Sequence, residues 1–162
     1  MFEIVEATEK DCSTIGQFIR YLAEYEKMSN EVIWTEESLY HELFIEKNAR
    51  VLLAKEDEEV IGFALYFFNF STFVGKKGLY LEDLFIKPEY RKKGYGKAMF
   101  KKLAEIAIEK NCGRMEWVCL NWNEPSIEFY YQLGAIGMDE WTTYRLTEDK
   151  IRQIAQTKEK AA

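Results

Sequence analysis

The segment from Leu79 to Lys110 constrains the fold more than any other part of the chain. It reads as a β-strand (LYLEDLFIKP), a short basic loop with two glycines (EYRKKGYGK) and an amphipathic helix (AMFKKLAEIAIEK). A helix N-terminus offers unpaired backbone N–H groups and the positive end of the helix dipole. Glycines let the backbone approach a bulky anion, and neighbouring lysines and arginine add positive charge. The pattern therefore predicts a site for a phosphate-bearing ligand where the strand gives way to the helix.

Periodicity in the first half of the chain predicts two helices flanked by strands. FEIVEAT alternates apolar and polar residues, which predicts the first strand. Thr8 or Asp11 can cap the helix that follows, and a second helix is expected to begin at Thr35. ARVLLAKE and EVIGFALYFFNF read as apolar strands joined by Asp57-Glu58, the pattern of a β-hairpin. We interpret STFVGKKG as the loop before the next strand.

The second half of the chain predicts a similar mixture of elements. RMEWVCL and EWTTYRLT are expected strands, and EDKIRQIAQ is expected to form a closing helix. Between the two strands we expect a helix with Asn123 as N-cap, Pro125 in its first turn and Gly134 as its C-terminal stop. The fold class is therefore α/β (α+β), built around one sheet. A single domain is expected over residues 1–162, with a frayed tail from about residue 156.

Composition and charge narrow the class of protein. No apolar run approaches the roughly 20 residues of a membrane span, and the first residues lack a secretory-signal pattern, so we expect a cytoplasmic protein without a membrane partner. The net charge of −6 argues weakly against a nucleic-acid partner and mildly favours a cationic ligand. Three cysteines without a CxxC pair indicate reduced thiols, and the lone His41 could not by itself make a metal site, so no metal is expected.

Three kinds of phosphate-binding loop compete for the segment 91–97. A nucleoside-triphosphate loop needs Ser or Thr after Gly-Lys, whereas Ala98 follows Gly96-Lys97 here. A dinucleotide-binding loop needs Gly-x-Gly-x-x-Gly, and its third glycine position holds Met99. The sequence RKKGYGK matches the third pattern, Arg/Gln-x-x-Gly-x-Gly/Ala. A solvated basic turn is the structural alternative, and the strand and helix on either side argue against it.

With this loop, the chain resembles the GCN5-related N-acetyltransferases, the GNAT family. The segments YLEDLFIKPEYRKKGYGK, WNEPSIEFYYQLGA and YLAEYEKM resemble the diamine acetyltransferase branch, with spermidine/spermine N1-acetyltransferase and its thialysine-acetylating relatives. The matches extend from Phe2 to about Ala155. The resemblance implies a mixed, mostly antiparallel sheet that is splayed between strands 4 and 5, with helices on both faces and the cofactor in the gap.

The resemblance also implies acetyl-coenzyme A (acetyl-CoA) as the co-substrate. In the family, the loop amides cradle the pyrophosphate, and one strand pairs with the pantetheine arm and polarises the thioester carbonyl. Asn123 has two possible roles, as helix cap and as a polar contact to the cofactor. The implied cofactor-binding residues are Leu84, Phe85, Ile86, Arg91, Lys92, Lys93, Gly94, Tyr95, Gly96, Lys97, Asn123 and Ser126.

Two residues match the catalytic positions of the family. Tyr130 corresponds to the tyrosine beside the sulfur, and a phenol with a pKa of about 10 is a suitable proton donor to a departing thiolate. The structural alternative for Tyr130 is a place in a core-facing stripe with Ile127 and Leu133. Glu82 corresponds to the residue that takes the amine proton, through water, or holds the cationic amine. The structural alternative for Glu82 is a salt bridge to Arg91 or to a lysine.

An acidic, aromatic-walled pocket is implied for a small cationic amine. Polyamine-acetylating members carry Asp-Pro-Trp before the catalytic strand, where this chain has Ser71-Thr72-Phe73, so a short diamine, thialysine or a lysine-like side chain is comparably favoured. Adjacent strand residues face opposite sides, so Glu82 and Asp83 should diverge unless a bulge intervenes. The implied substrate-binding residues are Tyr25, Glu26, Glu82, Asp83, Glu116, Trp117, Val118 and Asp139.

The hypothesis is an N-acetyltransferase that moves the acetyl group directly from acetyl-CoA to a primary amine. Two alternatives from other classes stay open. The first alternative is an enzyme that acetylates a protein N-terminus or a lysine side chain, which requires an open, peptide-wide groove. The second is a non-catalytic acyl-CoA sensor, against which the presence of both Glu82 and Tyr130 argues. We also expect a homodimer in which helices or last strands are exchanged between subunits.

Overall fold

The computed structural model describes residues 1–158 of the chain. Its contacts divide the chain into two compact units, Met1–Leu120 and the part from Asn121 onward. The tail predicted to fray from about residue 156 lies mostly outside the described residues, because the last helix ends at Gln156 and the description ends two residues later.

The first unit is built on a five-stranded sheet. Its strands follow one another in space as they do in sequence: β1 (Phe2–Glu6), β2 (Arg50–Glu56), β3 (Glu59–Ser71), β4 (Lys76–Ile86) and β5 (Arg114–Glu116). The first four strands pair antiparallel with their neighbours, whereas β4 and β5 pair parallel. A helical segment connects β1 to β2, and hairpins connect β2 to β3 and β3 to β4. A parallel pair needs a crossover, and the helix after the glycine loop provides it.

Local signals define most of the helices. Thr35 caps α2 through its hydroxyl, which accepts a hydrogen bond of 3.1 Å from the Ser38 amide, while Ser38 bonds back to the Thr35 amide. At the other end of the chain, Gly134 has φ = 92° and closes α4 as predicted. The helices are α1 (Cys12–Tyr25), α2 (Glu36–Tyr40, continued by a π-helical turn over His41–Ile45), α3 (Tyr95–Glu109), α4 (Glu124–Gln132) and α5 (Glu148–Gln156).

Helices cover both faces of the sheet, as the predicted fold requires. On one face, Ile15 and Phe18 of α1 and Leu39 of α2 pack with alternate residues of the central strands, such as Leu53 and Phe63. On the other face, α3 contributes a buried stripe that lies against β4. Successive strand side chains alternate between the two faces, so the strand residues buried on this face are those between the ones that face α1. This stripe consists of Met99, Phe100, Leu103 and Ala107.

The sheet is splayed between β4 and β5. The parallel pairing covers only Gly78–Tyr80 of β4, opposite Arg114–Glu116 of β5. Within residues 1–158, no strand pairs with the remainder of β4, Leu81–Ile86, on that edge. Apart from the Ile86 carbonyl, which accepts a hydrogen bond from the Arg91 side chain, the backbone groups of this edge have no strand partner, as the family resemblance predicts.

Three predicted segments differ from the structure. Residues 76–78 extend β4 rather than continuing the STFVGKKG loop, because the β3–β4 pairing runs to the Ser71–Lys76 pair. RMEWVCL forms a strand only over residues 114–116. EWTTYRLT was expected to be the last strand, but among residues 1–158 no strand follows β5. Its β-forming side chains have no neighbouring strand to pair with, and Trp141 and Tyr144 are exposed.

Candidate active site

The glycine loop presents backbone amides at the start of α3. The helix begins at Tyr95, earlier than predicted, so Gly96 and Lys97 belong to its first turn. Its first intrahelical hydrogen bond runs from the Ala98 amide to the Gly94 carbonyl (3.0 Å). The amides of residues 95–97 precede this bond and have no partner within the helix. They point toward the N-terminal end of the helix, where an anion is favoured.

The loop backbone is shaped for a close approach. Lys92 and Gly94 both have positive φ, 63° and 83°. Alternating backbone conformations of this kind turn successive N–H groups into one anion-binding concavity. Beyond the adjacent residues of the chain, no atom lies within 4 Å of the place where a Cβ of Gly94 would be, so the space beside this backbone is open. The side chains of Lys92, Lys93 and Lys97 are exposed around it.

Arg91 was predicted to bind the cofactor, and its side chain folds back onto the first unit. Its Nε donates a hydrogen bond of 2.8 Å to the Ile86 carbonyl. Its guanidinium lies 5.1 Å from the ring centroid of Phe85 and 5.2 Å from that of Tyr25. The structural alternative for Glu82, a salt bridge to Arg91 or to a lysine, is not formed among the described residues. Arg91 instead connects the end of β4, the glycine loop and the end of α1.

A β-bulge separates the two carboxylates of β4. Leu65 of β3 pairs with Asp83 and Tyr66 pairs with Leu81, so Glu82 is the extra residue. Glu82 is exposed and Asp83 is half-buried. In the described part of the chain, neither forms a salt bridge.

Burial and neighbouring negative charge raise the pKa of two carboxyl groups beside the bulge. Burial, followed by repulsion from Glu82 and Glu26, raises the pKa of Asp83 to about 7. Burial and repulsion from Glu82 also raise the pKa of Glu26, the residue that ends α1. Three predicted substrate residues therefore share one electrostatic environment. A cation bound among them would relieve the repulsion.

The three predicted substrate residues at the end of β5 and just after it have different environments. Glu116 is the last residue of β5, paired with Tyr80, and it helps to raise the pKa of that tyrosine after burial and Glu82. Trp117 follows the strand and packs edge-on against Phe100 of α3, at 5.0 Å between ring centroids. Val118 is 70% exposed.

Cys119 was not predicted as a site residue. Burial and then Glu26 raise the pKa of its thiol, which places it in the field of the acidic group. No local pattern in the sequence announces this position, because only the fold brings Cys119 and Glu26 together.

The remaining predicted residues lie in the second unit. Asn123 occupies the N-cap position of α4 and is buried, but its side chain forms no capping hydrogen bond to the first turn. The predicted N-cap position of Asn123 is confirmed, without a capping hydrogen bond of its side chain. Ser126 lies half-buried in the first turn, and Asp139 lies exposed outside regular structure.

Tyr130 and Tyr131 have different environments on α4. Tyr130 is half-buried, with its ring centroid 5.8 Å from that of Phe129, whereas Tyr131 is 54% exposed. The alternative of a buried core stripe is not supported, because α4 has no fully buried residue. A Schellman motif fixes the end of this helix: the Ala135 amide donates to the Tyr130 carbonyl (3.1 Å) and the Gly134 amide to the Tyr131 carbonyl (3.0 Å).

Comparison with known proteins identifies the family. The sequence profile described as the Acetyltransferase (GNAT) family matches residues 19–135. The chain belongs to the GNAT family. It is an acetyl-CoA-dependent N-acetyltransferase, as the glycine loop predicted.

This acetyltransferase is similar to two relatives of known name and to one solved structure. The thialysine N-epsilon-acetyltransferase of Bos taurus is 38% identical over 164 residues, which cover 94% of this chain and 96% of that protein. The L-ornithine N5-acetyltransferase of Arabidopsis thaliana is 42% identical over 98 residues, 60% of this chain and 43% of that protein. An integron cassette protein of V. cholerae superposes with a TM-score of 0.79 at 28% identity, covering 96% of this chain and 98% of that one. The predicted branch and fold of this acetyltransferase are confirmed.

No helix within residues 1–158 combines the length and apolar character needed to cross a bilayer. In the same residues, no group of three or more His, Cys, Asp or Glu side chains is placed to hold a metal ion.

Proposed function

We propose that this acetyltransferase moves the acetyl group of acetyl-CoA to the side-chain amine of a lysine-like amino acid, with thialysine and ornithine as the lead candidates. One observation carries the proposal. A single stretch of β4 joins the carboxylates of the bulge, Glu82 and Asp83, to an unpaired strand edge and then to the glycine loop. Groups suited to an acceptor cation and to an anionic donor therefore lie on one continuous piece of backbone.

The glycine loop fits a pyrophosphate. The amides of residues 95–97 are directed at the open space beside Gly94, and the exposed lysines 92, 93 and 97 add positive charge. Leu84, Phe85 and Ile86 pair with β3 on one side, which leaves the opposite edge for the amide groups of the pantetheine arm. Bound there, acetyl-CoA supplies a thioester whose carbonyl carbon accepts the amine.

The acidic group fits the acceptor. An amine at neutral pH is a cation, and Glu26, Glu82 and Asp83 attract it. Glu82 is exposed on the bulge, so we assign it to take the proton from the amine, through water, before nitrogen attacks the thioester carbon. Asp83 holds the positive charge beside it. Loss of the proton frees the nitrogen lone pair that forms the new amide bond.

Tyr130 is assigned to the leaving group. When the new C–N bond forms and the C–S bond breaks, the sulfur departs as a thiolate and takes a proton from the phenol. Its half-buried position on α4 and the match of NWNEPSIEFYYQLG to the family support this role. Asn123 and Ser126, near the start of the same helix, are proposed as polar contacts to acetyl-CoA.

The relatives favour an amino acid over a long polyamine. The names of the cow and Arabidopsis proteins describe acetylation of the terminal side-chain amine of an amino acid, at N-epsilon of thialysine and N5 of ornithine. The segment Ser71-Thr72-Phe73, where polyamine-acetylating members carry an acidic residue and a tryptophan, fits the same choice.

A thiol-release assay with acetyl-CoA tests the proposed class of reaction. We expect turnover with thialysine and ornithine, and little with peptides that carry a free N-terminus or a lysine. Preferential turnover of the peptides would indicate a protein N-acetyltransferase instead. If calorimetry detects coenzyme A binding but no amine releases thiol, the chain is a sensor rather than an enzyme of this specificity.

We also propose a homodimer. The second unit exposes large apolar residues that a monomer would leave in water: Ile136, Met138, Trp141, Tyr144, Ile151 and Ile154. Light scattering at micromolar concentration tests this, because the chain mass of 19.2 kDa would be doubled. A single-chain mass would overturn the dimer and leave the proposed chemistry intact.

A further inference from the structure

The end of the β2–β3 hairpin is unusually acidic and strained. Four carboxylates follow one another in Glu56-Asp57-Glu58-Glu59, and Glu56 pairs with Glu59 across the turn. Asp57 and Glu58 have φ values of 48° and 74°, in the left-handed region that disfavours residues other than glycine. Like charges at a strained turn destabilise it unless neighbouring donors compensate. We call residues 56–59 the acidic brace.

The N-terminal ammonium of Met1 forms a salt bridge with Asp57, and the other compensating donors come from residues just before and just after the glycine loop. Lys87 Nζ lies 3.3 Å from Glu59 Oε2. Glu59 also acts on Tyr90, because burial and then this nearby carboxylate raise the pKa of the phenol. The Tyr95 hydroxyl donates a hydrogen bond of 2.5 Å to Glu56 Oε2. The acidic brace therefore holds the chain on both sides of residues 91–94.

The Tyr95 ring is fixed as well as its hydroxyl. It stacks on Phe2 of β1 with 4.2 Å between ring centroids and 4° between ring planes. Phe2 is itself paired with Glu56 in the sheet. Tyr95 is the first residue of α3, next to Gly94 and within the turn whose amides face the open space. A side chain held at both its ring and its hydroxyl fixes the direction of that first turn relative to the sheet.

A lysine of the glycine loop also contacts one of these two tyrosines. Lys93 Nζ lies 5.3 Å from the ring centroid of Tyr90, so one of the loop cations rests on this tyrosine. Residues 92–94 are otherwise exposed. Their conformation therefore depends on the two tyrosines rather than on burial of their own side chains.

We propose that the acidic brace positions the acetyl-CoA loop, with Tyr95 as the positioning residue and Glu56 as its partner. The inference rests on the proposed pyrophosphate-binding function of the loop. Tyr95 has no role toward the acetyl group, because its hydroxyl is directed at Glu56. The brace therefore governs donor binding and leaves the chemical step and amine binding unaltered.

Tyr95→Phe and Glu56→Gln test the brace, separately and together. Tyr95→Phe keeps the stacked ring and removes the hydroxyl donor. Glu56→Gln keeps a carbonyl oxygen as acceptor and removes the negative charge. Tyr40→Phe is the matched control, because the Tyr40 hydroxyl bonds to Glu9 Oε2 at 3.1 Å on the same unit but far along the chain from the loop. Circular dichroism and melting temperature verify that each variant is folded.

We expect Tyr95→Phe to raise the Kd for coenzyme A and the KM for acetyl-CoA by about three- to tenfold, the loss typical of one intramolecular hydrogen bond. The kcat and the amine KM should stay within twofold of wild type, and Glu56→Gln should add little to Tyr95→Phe. Tyr40→Phe should change none of these constants. Unaltered coenzyme A binding in Tyr95→Phe overturns the brace, as does an equal change in both KM values. If wild-type protein binds no coenzyme A, the proposed function itself fails.

Discussion

Glu82 and Asp83 are neighbours in β4 but are not equivalent: Glu82 is the exposed extra residue of a β-bulge, and Asp83 is the half-buried partner of Leu65. A regular strand would send the two carboxylates to opposite faces. The bulge changes this alternation and brings both into the field of Glu26. A bulge beside a functional site re-aims side chains in this way in many sheets.

The raised pKa of Asp83 predicts a pH-dependent stability. Because the folded-state pKa of about 7 exceeds the unfolded value of 3.8, the folded protein binds the proton more tightly, and the free energy of unfolding falls as pH rises from 4 to 7. The difference between these two pKa values corresponds to at most about 4 kcal/mol. Asp83→Asn should reduce this fall and be more stable than wild type at pH 8. Urea unfolding at pH 5 and pH 8 measures it.

Asp139→Asn is the control for that experiment, since Asp139 is an exposed carboxylate of the second unit. Its pH profile of stability should follow that of the wild type. Equal pH dependence in the wild type and in Asp83→Asn would contradict the assignment of the titration to Asp83.

Glu82→Gln should lower kcat/KM for the amine by about 10²-fold, because a general base typically contributes at least this factor. The KM for acetyl-CoA should be retained. Glu105→Gln, at an exposed carboxylate on α3, serves as the control and should behave as wild type. Steady-state kinetics with both substrates varied separates the two constants. A wild-type kcat/KM in Glu82→Gln would show that the base lies elsewhere.

Tyr130→Phe should keep coenzyme A binding and lower kcat by about 10²-fold, since the thiolate loses its proton donor. Tyr131→Phe changes the adjacent, exposed tyrosine and should leave kcat unaltered. Thiol release under saturating substrates provides kcat, and calorimetry provides the affinity for coenzyme A. The assignment is lost if the two variants have the same kcat.

Gly94→Ala should weaken acetyl-CoA binding severalfold. The open space around Gly94 accommodates a methyl group, so the effect comes from its φ of 83°, which costs a non-glycine residue about 1 kcal/mol. Gly75→Ala is the matched control: its φ is 73°, its surroundings are equally open, and it lies in the β3–β4 turn. Both variants should lose similar stability, and only Gly94→Ala should raise the KM for acetyl-CoA. A similar rise in Gly75→Ala would refute a specific role of the loop.

Local signals in the sequence predicted the parts of the structure that local interactions determine. The cap at Thr35, the stop at Gly134 and the glycine loop before α3 depend on a few consecutive residues, and all three are present. The continuous apolar runs of the central strands likewise predicted β2 and β3, because both faces of the sheet are buried there.

Features set by distant partners were not predictable in the same way. The bulge at Glu82 depends on the β3–β4 register, and the contacts of Arg91 with Tyr25 and Phe85 depend on how α1 lies against the sheet. The strand expected over residues 140–147 failed for a related reason, since β-propensity does not supply a pairing partner. The brace on Tyr95 joins residues 39 positions apart and has no signature in the loop motif.

A competition assay tests the central claim most directly. Thialysine, ornithine and spermidine are mixed at equal concentration with a limiting amount of acetyl-CoA, and mass spectrometry quantifies each acetylated product, so that the ratios report relative kcat/KM. We predict that side-chain-acetylated thialysine and ornithine predominate over acetylspermidine. Predominance of acetylspermidine, or the absence of any acetylated amine while acetyl-CoA stays bound, would contradict the account.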